Sequence, residues 1–357
     1  MGNHRYGLIM AGGRGTRFWP RSRKRNAKQV LRFFGERTLI QQTVDRLEPV
    51  IPPENLWIIT NEFLQQEIRK QLPQIPKRQI LAEPAQRNTA PCIALAAQIL
   101  SMIDSEAVMG VFPADHLIVK ENQFRKFVRS AFRAAEQQSV VVLGIQPRWA
   151  ETGYGYIEFP KDVAAGKLGA LPVASFREKP DARTAAEFLE RGNFFWNAGM
   201  FFWRATSVLE LMRRHQPKTA TLLAGLPGIQ TKSFAKELAA VYPLCENISV
   251  DYAIIEKAQG VSGLAVDNIG WNDVGSWEAV YDLAEKDGQA NAHDGDLILE
   301  DSCGNYVDAK KTVALVGVEN LVIVDTPDAL LIADRRRTQD VSKIVKTLEK
   351  NGREDLL

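Results

Sequence analysis

Apolar runs and amphipathic stretches alternate through the first part of the chain. Tyr6–Ala11, Leu56–Thr60, Ile80–Glu83, Val108–Phe112 and Val140–Ile145 are short apolar runs, and each reads as a buried strand. Between them, Leu39–Leu47 carries Leu39, Ile40, Thr43, Val44 and Leu47 near a 3.6-residue period, which predicts a helix. Glu62–Leu72, Thr89–Ile103 and Phe124–Gln137 read the same way, with Pro91 tolerated in a first helical turn. The alternation predicts an α/β fold with an open, mostly parallel sheet covered by helices on both faces. Ligands of such sheets sit beyond the carboxyl ends of the strands, so residues just after strands carry the chemistry.

From Gly153 the pattern becomes mixed. Short strands (Tyr154–Phe159, Val173–Phe176, Met200–Trp203) are interrupted by helices at Ala182–Arg191 and Ser207–His215. After about Lys286 it changes again: Leu297–Glu300, Asn305–Val307, Val313–Val318, Leu321–Val324 and Ala329–Ala333 are closely spaced strands, and a charged helix, Val341–Lys350, follows them. The division is therefore one large α/β domain over 1–286 and a small β-rich appendage with a closing helix over 287–357, with no internal repeat in view.

Composition narrows the class. Hydrophobic residues at 45% and charged residues at 25% of 357 describe a globular chain, not a disordered or fibrous one. No apolar run approaches the roughly 18 residues of a membrane span. Gly2 invites myristoylation, but Tyr6 stands where Ser or Thr is needed. Cys92, Cys245 and Cys303 are far apart and form no CxxC pair, which argues against a disulfide framework or zinc site and for a reducing, cytoplasmic setting. A net charge of +2 gives no support for nucleic acid as the main partner.

That balance hides an asymmetry. Through Arg37 the chain has ten basic residues against Glu36 alone, leaving the remainder at net −7. The basic residues follow a Gly cluster, Gly12-Gly13-Arg14-Gly15-Thr16-Arg17, delivered by the first strand. Glycines let backbone N–H groups approach a phosphate closely. The loop is neither the dinucleotide fingerprint, because Phe18 occupies the place of its final glycine, nor a Walker A motif. Arg17 and Lys28 favour a triphosphate.

Leu8–Pro20 followed by Lys28-Gln29 resembles the signature of the sugar-nucleotide pyrophosphorylases, and within them the mannose-1-phosphate guanylyltransferases. The same order of motifs continues in Glu83-Pro84 with Arg87–Pro91, Pro113–His116, Thr152–Ile157, Glu178–Pro180, Trp196–Phe201 and Asn272–Trp277. The resemblance implies a Rossmann-like nucleotidyltransferase domain and transfer of GMP from GTP to mannose 1-phosphate, with Mg2+ as cofactor. The short apolar strands of the appendage, such as Val313–Val318 and Leu321–Val324, are too few to bury a core alone and predict a homodimer, with no membrane or nucleic-acid partner. A nucleotidyltransferase for another sugar or base, or a silent nucleotide-sugar-sensing subunit, are the alternatives. Long members of the family carry an isomerase domain for which this chain is too short.

The residue roles implied are these. Gly12, Gly13, Gly15 and Thr16 would cradle the triphosphate, with Arg17 and Lys28 neutralising charge there. Asp115 and Asp273 would bind the metal, and His116 would be a hydrogen-bonding neighbour. Lys179 would meet the sugar phosphate. Glu178 and Asn197 would take sugar hydroxyls in a pocket lined by Gly153 and Tyr156. Glu83, Asn88 and Thr89 are the candidates for the guanine edge, Thr89 equally as a helix cap. The nucleophile is a phosphate already anionic near neutrality, so no general base is needed. One departure is Ala27, where the family has proline, which would leave Lys28 freer.

Overall fold

The computed structural model describes residues 4–137 and 140–357; Gly2 lies outside them. The first half follows the alternation closely: β1 (Arg5–Ala11), α1 (Leu39–Leu47), β2 (Leu56–Asn61), α2 (Glu62–Gln71), β3 (Ile80–Glu83), α3 (Thr89–Ile103), β4 (Val108–Pro113), β5 (Leu117–Ile118), α4 (Glu121–Ala135) and β6 (Val140–Ile145). Then come β7 (Tyr156–Glu158), β8 (Leu171–Pro172), β9 (Ser175–Arg177), α5 (Ala182–Arg191) and β10 (Phe194–Arg204). Three helices, α6 (Ala205–His215), α7 (Pro217–Ala224) and α8 (Phe234–Val241), lead to β11 (Val261–Val266), β12 (Trp271–Asn272) and α9 (Trp277–Leu283).

The main sheet has the order β3-β2-β1-β4-β10-β6-β11-β8. Strands β1 to β4 are mutually parallel, as are β6 and β11. β10 runs antiparallel between β4 and β6, which makes the sheet mixed at its centre. It is eleven residues long, not the four read from Met200–Trp203, and its register shifts between Asn197 and Phe201. That bulge interrupts the apolar alternation and hides the strand in the sequence. The apolar faces of α1, α2 and α4 (Ile40, Val44, Leu64, Ile68, Phe124, Phe127) close one side of the sheet. α3, α6, α7 and α8 close the other with Ile93, Val208, Leu223 and Leu238.

The C-terminal region is a short parallel coil. β13 (Ala292–Asp294), β15 (Tyr306–Asp308) and β17 (Leu321–Asp325) lie side by side in parallel, as do β14 (Leu297–Glu300) and β16 (Val313–Val316). β18 (Leu330–Asp334) returns antiparallel to β17 and leads to α10 (Val341–Lys350). Successive rungs pair Ala292 with Tyr306 and Tyr306 with Val322, so the region does contain a loose repeat. Its trace is Asn291…Asp294 echoed by Asn305…Asp308. The buried Asn305 amide stacks between rungs, donating to Asn291 Oδ1 at 3.0 Å and accepting from the Leu321 N–H at 2.9 Å. This satisfies polar groups that the coil would otherwise bury unpaired.

The two regions share one apolar cluster. Phe18 and Trp19 from the signature loop pack with Val274 and Trp277, and with Tyr306, Val322, Val341 and Val345 from the coil and α10. Trp277 Nε1 donates to the Trp19 carbonyl at 3.2 Å, and Trp19 Nε1 to the Leu356 carbonyl at 3.0 Å.

Candidate active site

A cleft of about 690 Å3 opens beyond the carboxyl ends of the parallel strands. Gly12 and Gly13 line it after β1, Glu83 at the end of β3, and Asp115 after β4. Asn88, Thr89, Gly153, Glu178, Lys179, Asn197 and Asp273 also line it, so most of the sequence-derived candidates meet at one place.

Behind its wall Lys28 joins the two aspartates. Its Nζ donates to Asp115 Oδ2 at 2.9 Å and to the Asp273 carbonyl at 2.5 Å. The lysine is 6% exposed, so its charge must be paired. Ala27 does not loosen it: the alanine is buried at φ −74° and ψ 165°, within the range a proline would impose. Burial alone would raise the Asp115 carboxyl, but the Lys28 ammonium overrides it and holds the group below the usual carboxylate range. Burial pushes His116 down to about 4, so it is neutral. Its Nδ1 accepts from Trp271 Nε1 at 3.2 Å, a neighbour's role as expected.

The turn carrying Asp115 is fixed from below by α1. Thr43 Oγ1 donates to the Ala114 carbonyl at 3.2 Å, and the buried Arg46 donates to the His116 carbonyl at 2.7 Å. Asp273 arrives by a different route from Asp115. β11 ends at Val266, well before it, and β12 then pairs antiparallel with β5, Asn272 opposite Leu117. This two-stranded ladder brings the Asp273 and Asp115 loops together. Tyr154 Oη donates to Asp273 Oδ1 at 2.6 Å. Val274 follows at φ 48°, a strained conformation for a β-branched residue, and is fully buried. With Lys28 on Asp115 Oδ2 and Tyr154 on Asp273 Oδ1, the second oxygen of each carboxylate has no side-chain partner among the described residues.

Several candidates sit elsewhere. Tyr156 does not line the cleft: its ring is buried, and its hydroxyl donates to the Glu151 carbonyl at 2.8 Å and accepts from the Glu151 N–H and from Trp196 Nε1. It braces the 151–155 loop, and Tyr154 is the tyrosine at the site. Gly15, Thr16, Arg17 and Lys28 lie behind the cleft wall and not on it. Gly15 adopts φ +60°, where a Cβ would meet Lys28 Cβ at 2.8 Å, so it is required by the turn. Arg17 donates to the Gly275 carbonyl at 2.9 Å, beside Asp273. Asn88, at φ 63°, is the cap of α3 and accepts from the Thr89 N–H, while Thr89 Oγ1 accepts from the Val250 N–H at 2.8 Å. Glu83 is buried and accepts from the Tyr242 hydroxyl; burial pushes it up to about 7, the hydrogen bond opposing.

The N-terminal basic cluster is largely engaged by the protein itself. Arg14 pairs with Glu349, Arg21 with Asp308, Arg23 with Asp328 and Lys24 with Glu354, all acids of the C-terminal region. Elsewhere along the cleft, Lys179 Nζ stands 3.1 Å from Glu178 Oε1. Besides Tyr154, the cleft holds an acid that sequence reasoning missed: Asp251, on a π-helical turn (Asp251–Ile255), accepts from Asn197 Nδ2 at 2.8 Å. No periodicity or spacing in Ser249–Ile255 marks it.

A Gly-rich loop after β1, a carboxylate pair and polar groups meeting at the sheet edge are the arrangement of a nucleotidyl-transferring enzyme. The chain belongs to the nucleotidyl transferase family, whose model matches residues 6–290. Residues 295–348 match the MannoseP isomerase/GMP-like beta-helix domain, in accord with the parallel coil. The mannose-1-phosphate guanylyltransferase of Salmonella muenchen is 39% identical over 355 residues, 98% of this chain and 74% of its own. The xanthan biosynthesis protein XanB of Xanthomonas campestris pv. campestris (strain B100) is 39% identical over 352 residues, again 98% and 74%. A crystal structure described as mannose-1-phosphate geranyltransferase from Thermus thermophilus superposes with a TM-score of 0.85 at 32% identity, covering 97% of this chain and all of that one. Among the described residues no helix is long and apolar enough to cross a membrane.

Proposed function

We propose that this protein transfers GMP from GTP to mannose 1-phosphate, releasing pyrophosphate and forming GDP-mannose. The observation that carries the reading is the convergence of Gly12-Gly13, the Lys28-linked aspartates and the Glu178–Lys179 pair on a single cleft. Relatives named for this activity support the choice of base and sugar.

A phosphate oxygen of mannose 1-phosphate attacks the α-phosphorus of GTP in line, and the bond to the β-phosphate oxygen breaks. Little proton transfer is required, so catalysis rests on positioning and charge. Backbone N–H groups of Gly12 and Gly13 meet the phosphates. Arg17 and Lys28 supply positive charge from behind the loop. Lys179 holds the sugar phosphate, and Glu178 its hydroxyls. Glu83 and Asn88 face the base. Two carboxylates with an oxygen each to spare suit a hard cation that takes its other ligands from phosphates, so Asp115 and Asp273 would hold Mg2+. That ion would screen the two phosphate groups from each other.

Ile298, Val316, Leu330 and Ile332 are 55–70% exposed on the coil. Exposed apolar residues of this kind support self-association, and we assign the homodimer to the coil. A matrix of nucleoside triphosphates against sugar 1-phosphates, read by pyrophosphate release with and without Mg2+, tests the activity. Turnover confined to GTP with mannose 1-phosphate is expected, and no release in any combination would favour the silent-subunit alternative.

A further inference from the structure

Asn197 is the natural candidate for reading sugar hydroxyls, but its amide is already bracketed by the protein. Oδ1 accepts the Gly199 N–H at 3.1 Å across the bulge of β10, and Nδ2 donates to Asp251 at 2.8 Å. Asn197 thus holds Asp251 in place. The aspartate is partly buried at the cleft wall, and no lysine or arginine pairs with it among the described residues. Its second oxygen, Oδ2, has no side-chain partner there. Lys179, whose charge reaches it, is paired with Glu178 instead. Burial and the neighbouring Glu178 carboxylate push Asp251 up to about 6. Two carboxylates facing one cavity are costly unless hydrogen-bond donors approach them.

The turn is also stapled in position. The Val250 N–H donates to Thr89 Oγ1 at 2.8 Å, and the Ala90 N–H to the Ile248 carbonyl at 3.2 Å. Asp251 therefore sits on a segment anchored to the start of α3, on rigid structure and not on a free loop.

We infer that Asp251 is a specificity-determining residue, its carboxylate accepting hydrogen bonds from the hydroxyl edge of the hexose 1-phosphate beside Glu178. The assignment rests on the sugar-phosphate reading given above. Acceptors at Glu178 and Asp251 alternate with the remaining N–H of Asn197, a pattern matched to hydroxyls that both donate and accept. A site built to hydrogen-bond a hydroxyl discriminates against analogues lacking it, because its polar groups are then left unpaired.

Steady-state kinetics of Asp251→Asn in the full chain test this. The amide still accepts from Asn197 but loses the charge and one acceptor. KM for mannose 1-phosphate should rise about 10-fold or more, with KM for GTP within about 2-fold. GDP should bind normally, while the added affinity of GDP-mannose over GDP is lost. In the wild type, at least one monodeoxy analogue of mannose 1-phosphate should show a comparable KM penalty, a measurement independent of how the variant folds. An unchanged KM for mannose 1-phosphate, a parallel rise in both KM values, or a wild type indifferent to every deoxy analogue overturns the assignment. A wild type inactive with mannose 1-phosphate overturns the reading beneath it instead.

Discussion

Lys28 makes the two aspartates unequal. It bonds the side chain of Asp115 but only the backbone of Asp273. Asp273→Asn should therefore lower kcat by about 100-fold or more while leaving thermal stability nearly unchanged. Asp115→Asn should lower kcat similarly but also strand a buried ammonium, costing on the order of 2–4 kcal/mol in denaturant unfolding. If both carboxylates serve one metal, the double variant loses less than the product of the singles; simple multiplication would argue for separate roles. Glu83 gives a pH signature. Its carboxyl is raised from 4.5 to about 7 in the folded protein, so the native state holds a proton that the unfolded chain releases. Stability from this group is full below about 4.5 and is lost as pH rises through 7, by on the order of 3 kcal/mol in all. The difference in Tm between wild type and Glu83→Gln, followed from pH 5 to 8, should move in favour of the variant as pH rises. A constant difference would place Glu83 in an ordinary carboxylate environment.

At the scale of elements, α1 acts as a bracket for the Asp115 turn through Thr43 and Arg46. Arg46 is 2% exposed, burial pulls it down to about 10, and its Nη1 has no partner. Arg46→Ala should cost about 2–4 kcal/mol by urea unfolding, from the lost volume and the unpaired His116 carbonyl. A neutral result would show that the turn stands without α1. The elements legible in the sequence were those with one clean period: α1, α3, β3, β6 and α10 begin and end where periodicity put them. β10 was not, because its bulge breaks the alternation that marks a strand. The approach of Asp273 was not, because β12 is two residues long and is defined only by its partner β5. Motif order located Asp115, Glu178 and Asn197, but motif order could not separate Tyr154 from Tyr156, which differ only in which one the loop buries. Asp251 lay beyond reach because its role depends on a contact 54 positions away.

For the molecule as a whole, the charge asymmetry of the sequence resolves into attachment. Arg14, Arg21, Arg23 and Lys24 bind acids between Asp308 and Glu354, and Phe18 and Trp19 bury themselves among coil residues. Individually such exposed pairs contribute little, but they sit around a shared apolar cluster. A chain ending at Lys286 should therefore lose activity and fall in Tm, or aggregate, beyond any change in subunit association. Light scattering of the intact protein should give a dimer at micromolar concentration, and a monomer would exclude the coil as a self-association face. The contact of Trp19 with Leu356 spans 337 positions. At a synthesis rate of about 5–20 residues per second, the ribosome needs roughly 15–70 s to make the partner after it has made the loop. Trp19 is thus made long before its partner, so a partly made chain exposes this tryptophan and its neighbouring arginines until the coil that covers them has emerged.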